Sequence, residues 1–263
     1  MITVRDIEQF LYDWAPPETA ESWDNVGLLV GRPDRPVRRV LVALDVTPAV
    51  AAEAAELGAD LIVAHHPVMN VRWHEQELQT LREDTRLGGL LTYLVRHDLS
   101  AICMHTNLDA AEGGVNDCLA QKLGLSGTIP LNEQKIGRIG TLSCEIPLEQ
   151  FLHDVVKSLG CRGLRYRSGG RPVRRVAVGG GACGEYIPQA LAQGCDTFVT
   201  SDLRYNDFLD TQGLNLIDAG HFPTEDVVCA EVVRRLQKAF PDIRVSKSAI
   251  HHDAVQYYMT EGE

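Results

Sequence analysis

"VRRVLVALDVTPAVAAEAAELGADLIVAHH" occupies residues 37–66, and "VRRVAVGGGACGEYIPQALAQGCDTFVTSD" occupies residues 173–202. A shift of 136 residues superimposes them without a gap, and the hexapeptide "RPVRRV" opens both, at 35–40 and 171–176. Each copy reads as an apolar strand, a turn, a helix ended by glycine (Gly58, Gly194) and a second strand, LIVA or TFVT. In the first copy Thr47 and Pro48 form a helix start, the hydroxyl capping and the proline preset for the first helical position. Strand, helix and strand in close succession predict parallel strands joined by a right-handed crossover. Any two such units share this outline, but an identical hexamer and one offset at both ends point to duplication.

The copies continue alike. Each runs through a helical stretch into another apolar strand, "LSAICMHTNLD" from Leu99 and "LNLIDAGHFPTE" from Leu214. Between them, "GRIGTLSCEIPLEQFLHDVVKSLGCRGLRY" (137–166) predicts a strand, a helix from near Pro147, and a strand opening the second half. The expected fold is therefore α/β: two similar halves, 1–125 and 126–263, packed as one compact body with the functional site between them. No low-complexity linker separates them.

Composition narrows the function. At 263 residues, 44% apolar and 23% charged, the chain has the make-up of an ordinary globular protein. A formal net charge of −11 repels a phosphate backbone, so no nucleic-acid partner is expected. The start, "MITVRDIEQFLYDW", carries charge within its apolar pattern and does not read as a signal peptide. No apolar run reaches membrane-spanning length, so no membrane association is expected. Seven cysteines, at 103, 118, 144, 161, 183, 195 and 229, form no CxxC pair. That argues against a disulfide framework and a thiolate zinc site, and for a cytoplasmic location.

Functional groups in open α/β sheets gather beyond the carboxyl ends of the strands. His65 and His66 lie there, behind LIVA, and Pro67 bars an ordinary ladder partner next to them. Ser201 and Asp202 hold the equivalent place in the second half, and Asp45 ends the first strand, where it could orient a ligand or a water. In "HTNLD", His105, Asn107 and Asp109 alternate, so an extended backbone aims all three to one side. In "DAGHFPTE", Pro223 suits a first helical turn, which puts His221 just before a helix and Glu225 within that turn. His65, His66, Asp109, His221 and Glu225 form a nitrogen and carboxylate set that suits zinc, manganese, iron or a related divalent ion. Adjacent imidazoles chelate one ion poorly. A carboxylate bridge lets each take its own, giving two ions per chain about 3.5–4 Å apart.

Other signals compete. His74, His97 and His153 read as surface or filler histidines, and "HHD" (251–253) as a surface pair in a polar tail. "GGGACG" (179–184) satisfies GxGxxG between a strand and a helix. It reads as a dinucleotide fingerprint, a backbone nest for phosphate, or simply a tight turn.

Taken together, "AESWDNVGLLVG" (20–31), "DVT" (45–47), "AHHPVM" (64–69), "HTNLDAAEGGVND" (105–117), the glycine turn and "DAGHFPTE" (218–225) resemble the GTP cyclohydrolase I type 2 homologue family. These are also called Nif-three-like dinuclear metal centre proteins. The resemblance covers about residues 5–235. It implies an α/β fold of two similar halves, a two-metal centre, and a toroidal homohexamer built as a trimer of dimers with sites facing an internal cavity. It also implies His65, His66, Asp109, His221 and Glu225 as metal ligands, with Glu225 the bridge. Some members carry an extra domain between the halves, and this chain has the length of the short form. One departure is Asn206 in "SDLRYND", where members often carry a histidine.

The function this predicts is a dinuclear metal-dependent hydrolase acting on a nucleotide or phosphorylated small molecule, GTP cyclohydrolase-like by resemblance. His65 and Asp109 are assigned to one ion, His66 and His221 to the other, with His105 transferring protons, contacting substrate or orienting Asp109. The alternatives are a metal-handling or regulatory binding protein, an interaction scaffold, and a dinucleotide-dependent oxidoreductase built on the glycine turn.

Overall fold

Thr3 opens the first helix, α1 (Val4–Trp14), with a reciprocal capping box to Asp6. There follow β1 (Gly27–Val30), β2 (Arg39–Ala43), α2 (Pro48–Glu56), β3 (Leu61–Ala64), α3 (Arg86–Arg96), β4 (Ser100–Cys103) and α4 (Thr106–Ala110). The chain continues through α5 (Val115–Lys122), β5 (Ser126–Pro130), β6 (Arg138–Ile146), α6 (Leu148–Leu159) and β7 (Arg165–Arg167). It then runs through β8 (Val173–Val178), α7 (Ile187–Ala192), β9 (Thr197–Thr200), α8 (Tyr205–Asp210) and β10 (Asn215–Asp218). The last elements are α9 (His221–Glu225), α10 (Val227–Ala239) and β11 (Arg244–Lys247). This computed structural model describes residues 1–69 and 80–258, so His74 lies outside the described residues.

The elements sort into two α/β units. The first comprises Met1–Gly114 and Val228–His251, the second Val115–Val227 and the chain from His252. The duplication alone puts one boundary near residue 125; the chain instead changes unit after Gly114, after Val227 and after His251.

In the first unit the strand order is β1-β4-β3-β2-β11, with β2, β3, β4 and β11 parallel and β1 antiparallel on the edge. LIVA and SAIC are buried along their whole length, as strands covered on both faces must be. On one face Val50, Ala51 and Ala54 of α2 and Leu90, Leu91 and Leu94 of α3 pack with Leu41, Ile62 and Ala101 of the sheet. Against β2 and β3, Val228, Cys229 and Val232 of α10 line a narrow space with Val42 and Val63. Phe240 meets Phe10 of α1 edge-on at 5.4 Å.

The second unit repeats the plan, in the order β5-β6-β8-β9-β10-β7. Here β8, β9 and β10 are parallel and β7 is antiparallel to β10, as β1 is to β4. Registers agree between copies: Val40 faces Leu61, and Val176 faces Thr197, each partner 136 residues on. Side-chain clasps agree too. Asp60 accepts from the amides of Arg38 and Arg39 at 2.8 and 3.1 Å, and Asp196 from those of Arg174 and Arg175 at 3.0 and 2.7 Å. Leu119 and Ala120 of α5 sit in the core of this unit with Phe151, Val173 and Val176. The helix that follows the first copy thus packs in the second unit, and the helix that follows the second copy packs in the first.

The starts of α2 and α6 fall where the sequence puts them, Thr47 accepting from Val50 N–H and Pro147 standing at the N-cap of α6. Among the described residues no helix is long and apolar enough to cross a membrane.

Candidate metal centre

Each unit gathers imidazole and carboxylate groups at the carboxyl ends of its parallel strands. In the first, β3 and β4 run side by side, so the residues that follow them emerge together. His65 and His66 leave β3 with both amides donated to Leu44 O, which ends the pleat and releases both rings from strict alternation. His105 follows β4, and the three rings form a triangle with centroids 5.0, 5.2 and 5.6 Å apart. One ring nitrogen from each of His65, His66 and His105 lies within 4.8 Å of the others.

"HTNLD" is not extended. Residues Thr106–Ala110 form α4 with His105 at its N-cap. Alternation is therefore the wrong spacing there, and the i,i+4 spacing of a helix puts His105 and Asp109 on one side. Asp109 Oδ1 lies 3.7 Å from His65 Nε2. Asn107 turns the other way and donates to Ala15 O at 2.8 Å, a packing role.

Each histidine is held by an acceptor. His65 Nδ1 bonds to Met104 O at 2.8 Å, His66 Nδ1 to Asp45 Oδ1 at 2.8 Å, and His105 Nδ1 to Asp24 Oδ1 at 2.9 Å. A carbonyl or carboxylate only accepts, so the proton sits on Nδ1 and the lone pair on Nε2. His65 Nε2 and Asp109 Oδ1 thus stand on one side of the site, a nitrogen and an oxygen of ligand type.

In the second unit His221 is the first residue of α9, which starts one residue earlier than expected, with Gly220 at φ 86° as its N-cap. Glu225 follows on the same face, with Oε2 3.0 Å from His221 Nε2. On its other side His221 Nδ1 bonds to Asp202 at 2.6 Å. Burial disfavours the imidazolium, but the Glu225 charge and the bond to Asp202 outweigh it and push the His221 pKa up to about 11. Asp202 itself is held below the usual carboxylate range, first by its bond to His221.

Of the readings the glycine pattern allows, the tight turn is the one the backbone forms. Gly179 N–H donates to Val199 O, Gly180 N–H to Asn116 Oδ1, and Gly181 N–H to Thr224 Oγ1; Cys183 N–H donates to Gly181 O. A phosphate nest needs successive amides turned toward the ligand, and these turn inward. The helix that follows, α7, spans only six residues. The missing side chain matters instead: a Cβ at Gly181 would stand 2.1 Å from Glu225 Oε1 and 3.2 Å from His221 Nε2. That close approach gives the carboxylate and the imidazole their place.

The donor set fits a divalent ion. It is nitrogen and oxygen only, the tautomers of His65, His66 and His105 present Nε2, and carboxylates stand behind three of the four imidazoles. Asp45 does what its place at a strand end suggests. Asp24 has no spacing signal in the sequence; it precedes β1, and its carboxylate also accepts from Thr106 N–H at 3.0 Å. Burial alone raises its pKa, but the hydrogen bonds and charge of His105, with those of Thr106, bring it down to about 2. His251 is not a surface residue: it is half-buried and its Nε2 accepts from Leu44 N–H at 3.1 Å. Asn206 is exposed on α8.

These features define a class, the duplicated α/β proteins whose strand ends carry histidine and carboxylate clusters able to hold metal. The family model for DUF34/NIF3 (NGG1p interacting factor 3) matches residues 2–254, and the chain belongs to that family. It is 32% identical over 244 residues to a "GTP cyclohydrolase 1 type 2 homolog" of Clostridium perfringens, covering 89% of this chain and 91% of that one. A relative of the same name in Halalkalibacterium halodurans is 28% identical, and the alignment spans 363 positions over 93% of this chain and 96% of the relative. That relative therefore carries inserted sequence that this chain lacks. Among solved structures, a Bacillus cereus protein related to NIF3 superimposes with a TM-score of 0.90 at 26% identity, covering 98% of this chain and 99% of the other.

Proposed function

We propose that this protein is a metal-dependent hydrolase with two divalent ions per chain, acting on a nucleotide or another phosphorylated small molecule. His65, His66 and Asp109 from the first unit and His221 and Glu225 from the second would hold the ions, the Glu225 carboxylate offering an oxygen to each. The observation that carries the reading is the grouping of imidazoles and carboxylates at the strand ends, with His65 and His66 held at Nδ1 by acceptors so that Nε2 presents its lone pair, and His221 set between Asp202 and Glu225. The name carried by the relatives, "GTP cyclohydrolase 1 type 2 homolog", favours a nucleotide among the substrates.

Bound ions of this kind supply Lewis acidity and lower the pKa of a coordinated water from 15.7 toward about 7. The chain's own residues do the rest. Met104 O, Asp45 and Asp202 fix the ligand rings in rotation and tautomer. Asp24 aims His105, whose Nε2 can take a proton from an attacking water and return it to a leaving group.

The test is metal analysis of protein purified without chelators, beside a His66→Ala, Glu225→Ala double variant. Close to two ions per chain, falling to near zero in the variant, is the expected result. A loaded protein that turns over neither GTP nor a phosphoester panel is instead a metal-handling protein. Two ions retained in the variant overturn the ligand assignment.

A further inference from the structure

We propose that His251 is a positioning residue: its imidazole, accepting from the amide of Leu44, holds the turn on which the His65–His66 pair is set. The proposal rests on the reading that this pair serves a metal centre. It adds a support from the far end of the chain, beyond the ligands and the acceptors behind their rings.

β2 lies between β3 and β11, and the chain bends at Leu44 and Asp45, just past its end. Within a regular strand the amide and carbonyl of one residue point the same way. At Leu44 they part. The N–H donates to His251 Nε2 at 3.1 Å, on the side of β11, and the carbonyl accepts from the amides of His65 and His66 at 3.2 and 2.9 Å, on the side of β3. Asp45, whose carboxylate holds His66 Nδ1, is the next residue. Three supports of the pair therefore hang on the torsion angles of one residue. The ladder has already run out there, since the last pair of β2 and β11 is Val42 with Lys247. Leu44 is 1% exposed, so its N–H needs a partner from the protein.

Two further observations separate this contact from incidental packing. The ring is braced: His251 N–H donates to Ser248 Oγ at 3.1 Å, Ser248 N–H to Val42 O at 2.8 Å, and the Ser248 hydroxyl and Ala249 amide both donate to the Glu53 carboxylate of α2. The contact also recurs. Gly180, 136 residues beyond Leu44, donates its N–H to Asn116 Oδ1 at 2.9 Å. Asn116 is fully buried and, like His251, lies outside both copies of the repeat. An imidazole in one unit and a carboxamide in the other thus offer an acceptor to the equivalent turn amide. What the position requires is the acceptor, and an apolar side chain of similar size leaves that amide unsatisfied and the turn unheld.

Two variants of the full-length chain test this: His251→Leu, which fills the space without an acceptor, and His251→Gln, which restores one on a side chain of similar reach. Amide hydrogen exchange is read by NMR on metal-free protein, and zinc affinity by competition with a chromophoric chelator. In the leucine variant the amides of Leu44, His65 and His66 should exchange at least about tenfold faster while those of α3, in the same unit, keep their rates. Zinc should bind that variant about tenfold to a hundredfold more weakly. The glutamine variant should recover most of both losses. Unchanged exchange at His65 and His66 overturns the proposal, and so does a rise shared by α3, which marks general destabilisation. Zinc affinity kept in the leucine variant, or lost equally in the glutamine variant, overturns it as well. Unaltered protein that takes up no zinc sinks the metal reading instead, and the exchange rates alone then decide the role of His251.

Discussion

At the scale of single residues, what distinguishes this centre is how its histidines are backed. Asp202 is exposed and bonded to His221, so Asp202→Asn should leave the melting temperature nearly unchanged and weaken metal binding about tenfold to a hundredfold in a titration. Gly181→Ala should do both kinds of damage. Its φ of +66° costs an alanine about 1–2 kcal/mol, and the new methyl meets Glu225, so urea unfolding should shift and bound metal fall together. The adjacent pair His65–His66 stands out in the sequence because two imidazoles behind an apolar strand rarely serve packing. The roles of Asp24 and His251 do not stand out, because each acts on a partner far along the chain, His105 and Leu44. "HTNLD" misleads because an alternating pattern and an i,i+4 pattern both put its first and last residues on one side.

At the scale of elements, duplication made the fold readable. An offset of 136 predicts two strand–helix–strand units, and the parallel registers of β2 with β3 and β8 with β9 keep that offset residue for residue. The clasps of Asp60 and Asp196 belong to this scale, since each fastens the start of one strand to the entry of the next. Removing either carboxylate leaves two amides at the edge of the core without their acceptor. Asp60→Ala and Asp196→Ala should each destabilise the protein by about 2 kcal/mol or more in denaturant titration, and by similar amounts. A large disparity would count against equivalent roles. The glycine turn was the least legible element, because GxGxxG records where side chains are absent and says nothing of which way the amides turn.

At the scale of the whole molecule, the partition of the chain decides what can be separated. A cut between 125 and 126 follows the repeat but not the units: the first piece keeps α5, whose core lies in the second unit, and loses α10 and β11. Each piece alone should fail to give a cooperative thermal melt by circular dichroism, and the two expressed together should give one. A sharp transition from either piece alone would show that the exchanged helices are dispensable. Nothing in hydrophobic periodicity marks this, since α5 and α10 are amphipathic whichever sheet they cover.

The exchange also bears on what one copy could do alone. A single copy on its own would lack the helix that its unit takes from beyond the other copy, so it would be expected to fold only as a pair. Two copies in one chain make that encounter a tethered one, equivalent to about millimolar partner at any dilution. Within that one chain the two sets of strand ends differ, one carrying clustered imidazoles and the other His221 with Asp202 and Glu225.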